Sequence, residues 1–303
     1  MLTPVLASTV IVAGDVVASA PGVARAATAA AGGGHWSPVL STTFNGPAGS
    51  LPWFDGWTYA QGPGSSFGNN QVETNTQSPR NVSVDGHGHL GITARESNGS
   101  WTSGRLQTTS PSVSAPPGGE LEVTASIKQP DPANGTGYWP AFWMRGSGQW
   151  PQTGEIDIME SVNAQSQTGG AVDCGTDPGG PCNEPSGLGG GLIPCTTCQT
   201  AYHTYSMILN RTNTSDESIT FYVDGNYYFS VNENQVGASA WQQAFDRPMS
   251  IIFDLAVGGD YPNDLCHCTS PTSSTSSGGT MSVAYVAAYT SRGPVPGLAP
   301  APK

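Results

Sequence analysis

Apolar side chains recur at every second position along much of this chain. Leu121, Val123, Ala125 and Ile127 alternate with Glu122, Thr124, Ser126 and Lys128, the pattern of a strand with one buried face. Met281, Val283, Tyr285, Ala287 and Tyr289 repeat it. Val82 and Val84, then Asp85-Gly86, then Leu90, Ile92 and Ala94 predict a hairpin. The clearest hairpin runs Ile219, Phe221, Val223, Asp224-Gly225, Tyr227, Phe229, Val231, because Asp-Gly supplies the positive φ angles of a tight turn. Residues 249–257 form a near-continuous apolar run, expected of a strand buried on both faces. Only 234–246 predict a short helix. Many short strands separated by turn signals predict an all-β sandwich of antiparallel sheets.

One strand carries candidate chemistry. Residues 154–160 read Gly-Glu-Ile-Asp-Ile-Met-Glu. Alternation points Glu155 and Asp157 one way and Ile156 and Ile158 the other. Glu160 would join the isoleucine face on a regular strand. A β-bulge at Ile158–Met159 returns it to the acid side. Three carboxyls on one face cannot all ionise cheaply, so their pKa values should separate. One acid that keeps its proton beside one that loses it is the equipment of glycoside hydrolysis. A solvated acidic strand face and a Ca²⁺ site are the competing readings.

Composition narrows the setting. Ten Lys and Arg stand against 22 Asp and Glu, a formal net charge of −12. That balance repels nucleic acid and anionic membranes and suits an uncharged partner such as a neutral β-glycan polysaccharide. Charged residues make up only 11%, whereas Gly and Pro number 40 and 25, which favours turns over long helices. Residues 2–24 are mostly small and apolar, and Ala24-Arg25-Ala26 fits a signal-peptidase site. The expected organisation is a signal peptide at 1–26, a flexible segment at 27–35, one domain at 36–290 and a disordered Pro-rich tail at 291–303. The protein is expected to be secreted and monomeric.

Six cysteines agree with export. The expected local pairs are Cys174–Cys182 and Cys195–Cys198; Cys266–Cys268 would close a very tight ring. Zinc on Cys174, Cys182, Cys195 and Cys198 is the rival, disfavoured by the wide first spacing and an oxidising compartment.

The segments Tyr138-Trp-Pro-Ala-Phe-Trp-Met144 and Trp150-Pro-x-x-Gly-Glu-Ile-Asp-Ile-Met-Glu160 resemble glycoside hydrolase family 16. The methionine-containing acid motif is similar to the laminarinase-like branch of endo-β-1,3-glucanases. Gly68-Asn-Asn70, Ser103-Gly-Arg105, Tyr202-His-Thr-Tyr205, Phe221-Tyr-Val-Asp-Gly225 and Leu255-Ala-Val-Gly-Gly259 extend the likeness over about 36–290. It implies a concanavalin-like jelly roll with a concave substrate cleft. It implies Glu155 as nucleophile, Glu160 as general acid/base and Asp157 as the residue orienting the nucleophile, in a reaction that retains configuration. Retention needs carboxyls about 5–5.5 Å apart.

The resemblance also implies substrate contacts from Asn69, Asn70 and Arg105, and sugar-stacking walls from Trp139, Trp143 and Trp150. Trp139 and Trp150 sit beside Pro and loop residues and are favoured as walls; Trp143 is expected to pack inward. Asp173 stands where the family commonly has His, so it is assigned to a substrate subsite next to Glu160. Family members often bind structural calcium, but the matching positions here are Thr42, Thr43 and Ala284, so no cofactor is expected.

Overall fold

A computed structural model describes residues 34–52, 56–109 and 113–302. The expected signal peptide lies outside the described residues, as does all but the end of the flexible segment. Two eight-stranded sheets dominate, and every pairing within them is antiparallel. The first sheet runs in the order Asn226–Asn232, Ser218–Val223, His203–Asn210, Gly119–Lys128, Thr280–Arg292, Leu90–Thr93, Val82–Val84, with Ser37–Thr43 also on Thr280–Arg292. The second runs Leu188–Gly189, Gln167–Asp173, Glu155–Glu160, Tyr138–Gly146, Met249–Val257, Arg105–Thr108, Trp57–Ala60, with Ile193–Pro194 also on Gln167–Asp173. Both hairpins and the long apolar strand form where the alternation predicts them. The all-β sandwich is therefore the observed architecture.

Alternation explains the core. Leu121, Val123, Ala125 and Ile127 of the first sheet meet Tyr138, Phe142, Met144, Ile156, Phe253 and Leu255 of the second in one hydrophobic cluster. Phe142 stacks on Phe253 with ring centroids 4.8 Å apart. Burying each such ring is worth ~1.5–3 kcal/mol. The opposite parity of the second sheet, Trp139, Ala141, Trp143 and Arg145, is thereby turned away from this core.

The predicted helical segment forms as two short helices, Glu233–Val236 and Ala238–Phe245. Asn232 and Gln235 complete a capping box on the first. The sequence reading missed a third helix, Asp260–Cys266, because at seven residues it is too short to show a helical period. All three local disulfides are present, Cys174–Cys182, Cys195–Cys198 and Cys266–Cys268. Their formation consumes the thiolates that the zinc alternative needed. Among the described residues no helix is long and apolar enough to cross a membrane.

The tail corrects an expectation. It was expected to be disordered, yet the last strand continues to Arg292 and residues 293–302 lie against the first sheet. Two buried carboxyls anchor them: Val295 donates its N–H to Glu120 Oε2 at 2.9 Å and Ala299 to Glu122 Oε2 at 2.6 Å. Trp36 Nε1–H reaches the Gly297 carbonyl at 3.1 Å, and Tyr289 donates its hydroxyl to the Pro300 carbonyl at 2.9 Å. Proline richness suggested disorder because it removes donors; here the non-proline residues between supply the ones that matter. The tail also explains why Glu122, on the polar parity of its strand, is buried.

Deleting residues 294–303 should remove the tail's N–H donors from Glu120 and Glu122, leaving Glu120 only the Asn210 amide, and uncover Tyr289. We expect a loss of ~2 kcal/mol and a drop of several degrees in the melting temperature, with activity per folded molecule unchanged. Differential scanning calorimetry of the truncated and full chains checks this.

Candidate active site

The bulge forms at the predicted place. Phe142 pairs with Met159 while its neighbour Trp143 pairs with Asp157, so Ile158 is the inserted residue. Ile156, Ile158 and Met159 all enter the core. Glu155, Asp157 and Glu160 therefore share the outer face and line one cleft. Gly154 precedes them at φ +76°, and a Cβ there would stand 2.4 Å from the Ala244 carbonyl oxygen. Only glycine lets the second helix pack this close to the start of the acid strand.

Burial is the largest influence on each acid, and it raises all three. It pushes Glu155 up to about 8, opposed first by Arg145, which stands opposite it in register. It raises Asp157 well above the carboxylate range, reinforced by the charges of Glu160, Glu155 and Asp173. It lifts Glu160 to about 7, opposed by the Trp139 Nε1–H, which donates to Oε1 at 2.7 Å. Glu155 holds its proton more tightly than Glu160, and the charge of Glu160 is one of the causes. Protonating Glu160 removes its charge from Glu155 and leaves Arg145 and Arg105 facing Glu155. With Glu160 protonated, as a group that gives up a proton must be, the two guanidinium groups favour an ionised Glu155.

Tryptophans wall the cleft. Trp139, Trp143 and Trp150 all line it, so the inward placement expected for Trp143 is corrected. Strand parity is the reason: Trp139, Ala141, Trp143 and Arg145 share one face. Trp143 donates its indole N–H to Asp254 Oδ1 at 2.8 Å. Arg105 is held between the rings of Phe67 and Trp143, its guanidinium carbon 4.4 and 4.6 Å from their centroids, and lies 3.9 Å from Asp254 Oδ2.

Two assigned contacts fall elsewhere. Asn69 lines the cleft but Asn70 does not. The Asn70 amide donates to both carboxylate oxygens of Asp260, at 2.9 and 3.1 Å, and so ties the Asn69 loop to the start of the third helix. Gly259 permits that junction, since a Cβ on it would lie 2.6 Å from the Asn69 carbonyl oxygen. Asp173 is also not part of the lining; it hydrogen-bonds with Asp157 and Glu184 instead.

Sequence reasoning missed Phe67, Gln71, Arg145 and Asp254, all of which line the cleft. Two of these had a signal. Arg145 shares the parity of Trp139 and Trp143, and Asp254 is the one acid inside the apolar run 249–257. Glu73 was missed as well. It is buried, accepts the Val257 N–H at 2.9 Å and clamps the 68–75 loop to the end of that run.

Residues 121–185 match the family model described as "XgeA-like, catalytic GH16 domain". A beta-glucanase of Rhodothermus marinus is 32% identical over 238 residues, spanning 74% of this chain and 77% of that protein. The chain belongs to glycoside hydrolase family 16. Solved structures place it among the laminarinase-like members of the family. The endo-1,3-β-glucanase of Streptomyces sioyaensis superimposes with a TM-score of 0.80 at 40% identity, over 86% of this chain and 97% of that one. The endo-β-1,3-glucanase of Pyrococcus furiosus gives 0.66 at 30% identity, over 84% and 95%. The two-sheet sandwich is thus the family's jelly roll, and this family 16 chain is a glycoside hydrolase.

So many buried acids give the enzyme a pH-dependent stability. Burial raises Glu73 and Glu122 to about 7 and Glu184 to about 9. Between the unfolded carboxyl range near 4.3 and these values, the folded chain holds more protons than the unfolded one. Stability is therefore full below that range and is lost as pH rises through the folded values. Asp85, lowered to about 2 by its His89 contact against a burial penalty, acts only below this window. The melting temperature should fall by several degrees from pH 5 to pH 8, which thermal melts in a constant-ionic-strength buffer series would reveal.

Proposed function

We propose that this family 16 enzyme is a secreted endo-β-1,3-glucanase that works by double displacement. The observation that carries the mechanism is the bulged strand: it presents Glu155 and Glu160 on one face, with Arg145 opposite the first and the Trp139 N–H on the second. Glu155, the group facing the cation, attacks the anomeric carbon. Glu160 gives its proton to the departing glycosidic oxygen, then takes one from the water that releases the glycosyl-enzyme. Asp157, between them, orients Glu155. Configuration is retained because two inversions occur at one carbon.

The substrate class follows from the lining. Indole faces pack on the C–H faces of sugar rings, and amides and guanidinium groups satisfy hydroxyls. Trp139, Trp143, Trp150, Asn69, Gln71 and Arg105 supply both kinds of surface. Arg105 and Arg145 are balanced by the acids beside them, which suits an uncharged polymer. The linkage is proposed from the resemblance to the two glucanases above. Export is supported by the small apolar leader and the three disulfides.

The calcium site common in the family does not fit this chain. Thr42 and Thr43 stand opposite Val286 and Tyr285, and Ala284 brings no side-chain oxygen. Hydroxyls without a carboxylate hold Ca²⁺ poorly. Adding a chelator should leave the melting temperature within about a degree of its starting value.

The central test is reducing-sugar release from laminarin by the mature, oxidised protein. Glu155→Ala should abolish it, and Glu160→Gln should lower kcat by roughly 10²–10⁴. Proton NMR of the first products should show the β-anomer before mutarotation. Early α-anomer would sink the retaining mechanism. Activity confined to mixed-linkage glucan or a β-galactan would keep the chemistry and replace the polymer.

A further inference from the structure

Behind the three acids lies a second layer of acid to which hydrolysis assigns no role. Asp173 ends the strand next to the acid strand and pairs in register with Glu155. Carboxylate oxygens of Glu155, Asp157 and Asp173 lie within 4.8 Å of one another. Glu184 lies two residues past Cys182, which its bond to Cys174 ties back to the end of the Asp173 strand, and it is 4% exposed, against 6% for Asp173. Its Oε1 accepts the Cys174 N–H at 2.8 Å. Its Oε2 is buried without any N–H or hydroxyl donor. Asp173 hydrogen-bonds with Glu184 on one side and Asp157 on the other.

Two carboxyls can hydrogen-bond only if one of them carries a proton. Two links among three carboxyls therefore need two protons and leave room for one negative charge. The orphaned Oε2 of Glu184 costs little if it is the hydroxyl oxygen of a protonated acid. Asp173, the central member, accepts both links when it is the anion.

We propose that Asp173 and Glu184 are positioning residues of the hydrolytic site: Asp173 is the single anion of a three-carboxyl chain, and Glu184 and Asp157 are its protonated donors. Asp157 is thereby held as a neutral acid beside Glu155. This rests on the reading of Glu155 as nucleophile. An ionised Asp157 would oppose the charge that Glu155 must carry; the chain keeps that anion one residue further back. The groups facing the chain are Glu155 and Glu160 from the acid strand and Asp177 from the disulfide loop. Tyr228 and Tyr261 lie near enough to Asp157 and Glu160 to feel their charges. Arg145, Arg105 and Asp254 act on Glu155.

The pH profile of kcat/KM on laminarin tests this, because a purely structural role would change its height and not its acid limb. Asp173→Asn removes the fixed anion and should move the acid limb about one unit lower. Glu184→Ala withdraws the donor that holds the charge on Asp173; the remaining pair keeps one proton and one charge, which can then sit on Asp157 beside Glu155, so the limb should move higher. Glu184→Gln restores an N–H donor and should return the limb to its original pH. An acid limb unmoved in both Asp173→Asn and Glu184→Ala overturns the proposal, and so does failure of Glu184→Gln to restore it. Melting temperatures identify any variant that does not fold, and the Glu184→Ala and Glu184→Gln pair decides if Asp173→Asn is lost. Glu155→Ala in the same assay separates the two readings: if it stays active, the nucleophile assignment fails. If it is inactive and the limb is unmoved, only the positioning chain fails.

Discussion

Withdrawing carboxyls from water is the constraint around which this molecule is arranged. Glu155, Asp157 and Glu160 share one face of one strand, and burial is the dominant influence on each. An isolated buried carboxylate is too costly to keep charged, so each acid must gain a cation, a donor or a proton. The surroundings answer all three: Arg145 stands opposite Glu155, the Trp139 indole donates to Glu160, and the charge of Asp173 favours a proton on Asp157. The same rule governs the margins. Asp254 is matched by Arg105 and Trp143, and Glu73 by the Val257 N–H. The tryptophans that wall the cleft thus have two edges in use. Their faces suit a sugar ring, while the N–H groups of Trp139 and Trp143 hold acids in place.

Much of this was legible in the sequence, because strand alternation is a local property. The hairpins, the doubly buried strand at 249–257 and the bulge at Ile158–Met159 follow from spacing alone. The same rule applied to Tyr138–Gly146 would have turned Trp143 outward with Trp139; the error came from judging each tryptophan by its neighbours rather than by parity. What was not legible depends on contacts between distant segments. Asn70 looks like a sugar ligand until Asp260 arrives to take its amide. Asp173 looks like a subsite residue until the disulfide loop brings Glu184 against it. The tail looks disordered by composition, and only Glu120 and Glu122 on a strand far away in sequence give its N–H groups somewhere to go.

The loop that completes the site is tied to the end of the strand 249–257 and to the residues just beyond it. Val72 donates its N–H to the Val257 carbonyl at 2.9 Å, and Val257 donates its own to Glu73. Asp260, just beyond, donates to the Asn69 carbonyl at 2.8 Å. One strand end therefore sets the position of Phe67, Asn69 and Gln71 along one side of the cleft. The long apolar run is rigid because it is buried on both faces, and the loop inherits that rigidity.

The bulge also has an evolutionary consequence. A strand counts residues in twos, so the phase between Glu155 and Glu160 changes only by whole codons. Exchanging Ile158 or Met159 for another apolar residue alters packing and leaves both acids facing the cleft. Losing one of those codons would give Glu-x-Asp-x-Glu, whose regular alternation keeps both glutamates on the cleft face without a bulge. Drift at this point is therefore permissive in letters and tolerant of one deletion, because the bulged strand and the regular strand one residue shorter put the same two acids before the same cleft.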